Sequence, residues 1–98
     1  TTLEAEEMLT ARGVEILPDI LVNAGGVIVS YFEWVQNRSA QRWSLDDVDY
    51  KLREVLWRSC DAVVEARRDY EVDSRRDAAY AVALSRLQTV YRQRGIFP

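Results

Sequence analysis

Apolar residues recur along most of this chain at spacings of three and four, and the pattern breaks at glycine, proline and asparagine. Leu3, Ala5, Met8 and Leu9 give the first twelve residues one apolar stripe. Thr1 and Glu4 have capping-box spacing, Arg12 sits in the last turn, and Gly13 offers a left-handed stop. A helix is therefore predicted up to Arg12. The period then changes. Val14-Glu15-Ile16-Leu17 is short, half β-branched and closed by Pro18, which predicts a strand. A strand alone leaves both edges unpaired, so its partners have to come from outside this chain.

Further along, Ser44 with Asp47 repeats the capping-box spacing. Leu45, Val48, Leu52, Val55, Leu56, Cys60 and Val63 follow at helical intervals, predicting a helix to about Arg68. Asp73 is the expected cap of a last helix, in which Ala79, Ala83, Leu87 and Val90 form one row and Tyr80, Leu84 and Tyr91 a neighbouring one. Gly95 ends it, and Ile96-Phe97-Pro98 forms a tail. The composition shifts near Gln41 to Ser44, after the polar run from Gln36 to Arg42. That shift divides the chain into residues 1–42, read as the end of an α/β domain, and residues 43–98, read as helical.

The stretch NAGGVIVSYFEW, residues 23–34, is ambiguous by propensity. Val27-Ile28-Val29 favours a strand, yet Val27, Tyr31, Trp34 and Val35 share one helical face and strict alternation fails. A helix starting at Gly25 or Gly26 is predicted. Two readings of its start remain open. A glycine pair opening a helix beyond a strand lets a ligand approach the backbone closely, with Asn23 and Ser30 offering polar contacts. Equally, the glycines serve as turn residues, Ser30 bonds back to its own helix, and Tyr31, Phe32 and Trp34 are core.

Composition narrows the chemistry. The 98 residues contain no histidine and one cysteine, so histidine-based catalysis, an internal disulfide and most transition-metal sites are excluded. Neither catalytic nor metal-ligating residues are assigned. A net charge of −3 argues against a nucleic-acid surface. No apolar run reaches the roughly 18 residues of a membrane span, no signal-peptide pattern opens the chain, and a reducing, cytoplasmic setting is expected.

Residues 17–37, LPDILVNAGGVIVSYFEWVQN, resemble the C-terminal part of the cofactor-binding domain of glutamate dehydrogenases, within the wider family acting on glutamate, leucine, phenylalanine and valine. TTLEAEEMLTARGVEILPD resembles the helix and strand that precede it, while YEVDSRRDAAYAVALSRL and RGIFP resemble the last helix and terminus. Leu3, Val22 and Ile28 stand where proline, alanine and threonine are frequent. The resemblance implies oxidative deamination of L-glutamate to 2-oxoglutarate and ammonia with NAD or NADP as hydride acceptor, in a homo-oligomer, usually a hexamer. It also implies cofactor contacts at Asn23 and Gly25, and substrate contacts at Ser30, to the side-chain carboxylate, and at Val27.

The family's glycine-rich dinucleotide fingerprint and its catalytic lysine are missing; Lys51 is the sole lysine and reads as a surface residue. The expected fold is thus an α/β fragment: the end of a Rossmann-type domain with one short strand, then a mainly helical segment. The expected function is part of a glutamate dehydrogenase, inactive by itself. The alternative is an autonomous helical interaction module in which Tyr31, Trp34, Trp43 and Trp57 cover a partner.

Overall fold

A computed structural model describes residues 1–95, so the Ile96–Pro98 tail lies outside the described residues. Five helices follow one another: α1 (Leu3–Ala11), α2 (Asp19–Val22), α3 (Ala24–Ser39), α4 (Leu45–Asp69) and α5 (Arg75–Arg94). No strand forms among the described residues. This corrects the expected fold class: a Rossmann-type end with one strand is not present, and the described chain is all-α. Gly13 to Pro18 runs without regular structure, with Gly13 at φ +75°. The reason is the one that made a lone strand uncomfortable. Val14 to Leu17 has strand composition but no neighbouring strand to receive its N–H and C=O groups.

Caps fix where the helices begin. Thr2, one residue later than predicted, caps α1 by accepting a hydrogen bond from the Ala5 N–H at 3.2 Å. Ser74, rather than Asp73, caps α5 through the Asp77 N–H at 3.0 Å. At α4 the predicted capping box is complete: Ser44 Oγ accepts from the Asp47 N–H, and Asp47 Oδ2 accepts from the Ser44 N–H, both at 3.1 Å. α3 runs further than its polar C-terminal half suggested, through Ser39, and closes at Ala40 in the left-handed region (φ 51°). In the turn that follows, the Gln36 side chain accepts from the Trp43 N–H at 2.7 Å, and Trp43 packs on Phe32 with ring centroids 5.7 Å apart.

α4 and α5 form an antiparallel pair joined by residues 70–74. Val63 and Ala66 of α4 meet Ala78 and Ala79 of α5, with Leu21, Val72 and Val82 around them. Small side chains let the two backbones approach, and Ala78 is wholly buried. α3 lies across the other part of α4, with Phe32 as its one buried residue. The remaining apolar rows are not covered. Leu45, Leu84 and Leu87 are each more than 60% exposed, and twenty large hydrophobic side chains among the described residues face outward against five buried hydrophobic residues. The radius of gyration, 16.7 Å, exceeds the roughly 13 Å of a compact domain of this length. Such an open shape leaves most apolar surface for something else to bury.

α1 is held to α5 electrostatically. Arg76 Nε lies 2.6 Å from Glu6 Oε2, an ion pair without hydrogen-bond alignment, and Arg75 donates to Glu15 at 2.8 Å. Two arginines in the first turn of a helix oppose its dipole, and the two glutamates compensate them. The Arg75 guanidinium holds the Glu15 carboxyl below its ordinary value, through its hydrogen bond first and its charge second.

Candidate functional site

Pro18 ends the irregular segment and α2 begins directly after it. Asn23 alone separates α2 from α3 and stays in the helical region (φ −83°, ψ −2°). The glycine pair therefore does not open a free-standing helix after a loop, as the sequence suggested, but continues a nearly unbroken helical path. Neither Gly25 nor Gly26 has a positive φ; only Gly13 and Gly95 do. A Cβ on Gly25 would meet Leu52 Cδ1 of α4 at 4.0 Å, ordinary contact, and one on Gly26 would meet nothing within 4 Å.

Helical spacing sorts the residues around α3. Gly25, Ile28, Phe32 and Val35 lie on the face toward α4, where Phe32 is buried and the others partly so. Asn23, Gly26, Val27, Ser30 and Trp34 lie on the opposite face, and all five are exposed. Of the residues singled out in the sequence, Asn23, Val27 and Ser30 are thus brought onto one surface. Gly25 is on the other side of the same turn. Gly26, predicted from the sequence as one of two starts of this helix, shares that surface.

The polar groups on this face are unused by the fold. Asn23 precedes α3 but is itself helical, not extended as a capping residue is, so its side chain makes no cap bond and is left without a partner among the described residues. Ser39, Ser59 and Thr89 each bond back to the carbonyl four residues earlier, at 2.5, 2.9 and 2.9 Å. The Ser30 hydroxyl makes no such bond among the described residues, so the self-bonding reading of Ser30 does not hold. Val27 is 75% exposed. Tyr31 and Trp34 are half exposed and stacked, 5.8 Å apart at 26°, so of the three aromatics only Phe32 is core.

Among the described residues, the main clefts are not lined by Asn23, Gly26, Val27, Ser30 or Trp34. Clefts lie elsewhere, one lined by Glu6, Val14, Arg67 and Arg75 and another by Phe32, Trp43, Tyr50 and Lys51. Lys51 places its ammonium 4.9 Å from the Trp43 ring centroid. No cluster of three acidic, cysteine or histidine side chains is placed to hold a metal among the described residues, and no described helix is long and apolar enough to cross a membrane. By itself the α3 face is one flat wall.

Comparison with known proteins supplies the context for that wall. The profile of the Glutamate/Leucine/Phenylalanine/Valine dehydrogenase family matches residues 1–95. The chain belongs to this family. An NADP-specific glutamate dehydrogenase A1 of Halobacterium salinarum is 45% identical over 97 residues, covering 99% of this chain and 23% of the relative. The NAD-specific glutamate dehydrogenase of Staphylococcus aureus (strain COL) is also 45% identical, over 95 residues, covering 97% of this chain and 23% of the relative. A crystal structure of glutamate dehydrogenase from Peptoniphilus asaccharolyticus superposes with a TM-score of 0.90 at 36% identity, over 99% of this chain and 24% of that one. The chain spans about a quarter of the length of the curated relatives it matches. Identity to the NADP-specific and the NAD-specific relative is the same, 45%, so overall similarity favours neither cofactor.

Proposed function

We propose that these 98 residues are part of a longer NAD- or NADP-dependent glutamate dehydrogenase and form one wall of its active site. In this reading residues 1–42 belong to the cofactor-binding part and residues 43–98 to a C-terminal helical part. The complete enzyme oxidises L-glutamate to 2-oxoglutarate and ammonia as a cytoplasmic homo-oligomer, a hexamer by family resemblance. The 98 residues by themselves are inactive.

One observation carries the reading. On the exposed face of α3 stand an asparagine whose side chain makes no cap bond, a glycine with open space where a Cβ would go, and a serine whose hydroxyl makes no hydrogen bond among the described residues. Among the described residues none of the three is used in packing or hydrogen bonding. A ligand would use all three. Ser30 donates its hydroxyl to the side-chain carboxylate of glutamate, and Val27 packs on the substrate's methylenes. Asn23 and the backbone at Gly25, whose α-carbon faces α4, contact the cofactor on its nicotinamide side, and Gly26 leaves that approach open. The chain's own residues supply orientation and a polar partner, while the nicotinamide supplies the hydride acceptor. A site that hydrogen-bonds a carboxylate disfavours substrates lacking it, because the donor is then left unpaired.

The test is steady-state kinetics of the full-length protein. Loss of one hydrogen bond to a charged group lowers kcat/KM for glutamate in Ser30→Ala by about 10- to 150-fold. The KM for the cofactor stays within about two-fold. In Asn23→Ala the cofactor KM rises by roughly 2- to 12-fold instead, the range of a neutral hydrogen bond. Unchanged glutamate kinetics in Ser30→Ala would sink this reading.

A further inference from the structure

We infer that Trp34 is a specificity-determining residue of this site, closing the carboxylate end of the substrate pocket next to Ser30. The inference rests on the reading of Ser30 given above. Trp34 lies four residues beyond Ser30, one helical turn along the same exposed face. Side chains on a helix lean toward its N-terminus, which favours placing the indole toward the turn that carries Ser30.

The indole is held in place yet uncovered. Tyr31 stacks beside it at 5.8 Å, and the Arg38 guanidinium sits 5.3 Å from its ring centroid. A tryptophan on a helix surface with no role is free to change rotamer. This one is braced by a residue from the turn before and a residue from the turn after, both on its own helix. Even so, 54% of it remains exposed, on a residue that shares the helix face of Asn23, Val27 and Ser30. Bracing an aromatic ring while leaving it open suits a wall that meets a ligand or a closing domain.

The physical role follows from the hydroxyl beside it. A single serine donor discriminates for a carboxylate only where water cannot compete for either partner. An indole over the Ser30 turn removes that water without offering a competing charge. Trp34 thereby makes the Ser30 hydrogen bond count for glutamate against an analogue of the same chain length that lacks the carboxylate, such as norvaline.

The experiment compares glutamate and norvaline oxidation by the full-length enzyme and its Ser30→Ala, Trp34→Ala, Trp34→Phe and Arg38→Ala variants. Trp34→Ala is expected to raise the KM for glutamate roughly ten-fold and to reduce the glutamate-to-norvaline ratio of kcat/KM by a similar factor. The cofactor KM and norvaline kinetics are expected to stay within about two-fold. Trp34→Phe restores most of the ratio, and Arg38→Ala, which loosens the indole without removing it, shifts the ratio in the same direction by less. Should Trp34→Ala not fold, Trp34→Leu, which keeps apolar bulk but not the ring, takes its place beside Arg38→Ala. An unchanged ratio in Trp34→Ala or Trp34→Leu and in Arg38→Ala, alongside a reduced ratio in Ser30→Ala, overturns this inference only. Equal losses for glutamate, norvaline and cofactor also overturn it, since they mark a packing role. No effect of Ser30→Ala overturns the underlying reading of the site.

Discussion

Gly26→Ala separates the needs of the fold from the needs of a ligand. Glycine within a helix is less stable than alanine by about 0.5–1 kcal/mol, because the unfolded chain loses more freedom on ordering. At Gly26 the backbone is in helical conformation and an added Cβ meets nothing within 4 Å. The substitution therefore removes the entropy penalty and adds no clash. For the 98-residue chain the expected gain is roughly 0.5–1 kcal/mol, or about 2–8 °C in Tm for a domain of this size. Far-ultraviolet circular dichroism during thermal unfolding measures it. The same substitution in the full-length enzyme is expected to raise the KM for cofactor or substrate, because the methyl group fills space on the face that carries Asn23 and Ser30. A loss of stability would show that the fold itself requires this glycine. A gain of stability with unchanged kinetics would show that nothing approaches it closely. Either result refutes the argument that a ligand explains Gly26.

Three further outcomes follow from the helix ends and the α1–α5 contact. Ser44→Ala removes the complete capping box of α4 and is expected to cost about 0.5–2 kcal/mol in urea unfolding, with an unchanged m value. Asp47 is held below its ordinary value of 3.8, chiefly by the Ser44 hydroxyl and then by the Ser44 N–H. A lowered folded-state value stabilises the folded form above 3.8, and that contribution disappears as pH falls from 3.8 through the folded value. Asp47→Asn should therefore flatten the acid limb of the stability curve, as unfolding midpoints measured against pH will show. Arg76→Ala strips the partly buried Glu6 of its one ion-pair partner and is expected to loosen α1 by about 1–3 kcal/mol. Faster amide exchange over residues 3–11 with little change in α4 reports it.

The parts of the fold that local chemistry controls were legible in the sequence. Ser44 and Asp47 marked the start of α4, the apolar rows marked three of the helices, and the mixed signal of Val27 to Val29 resolved to a helix because periodicity outweighed β-branched propensity. Caps with two adjacent candidates were misread by one residue, at Thr2 and at Ser74, since either neighbour offers a suitable oxygen. The strand at Val14 to Leu17 failed for a non-local reason, because pairing depends on a partner that no local pattern can supply. α2 was missed because four residues carry no periodicity. The candidate site was legible only through family resemblance. Helical spacing puts Ser30 in register with Gly26 and Val27, but spacing does not reveal that Asn23 is itself helical and makes no cap bond, or that Ser30, unlike Ser39 and Ser59, makes no bond back to its helix among the described residues. The braced indole of Trp34 had no sequence signal beyond an aromatic cluster.

The most direct test of the account is a crystal structure of the full-length protein with 2-oxoglutarate and nicotinamide cofactor bound. The account predicts the Ser30 hydroxyl within about 2.5–3.0 Å of a side-chain carboxylate oxygen, with Asn23 toward the nicotinamide. It is contradicted if the α3 face bearing Asn23, Gly26, Val27 and Ser30 is packed against protein while the ligand lies elsewhere.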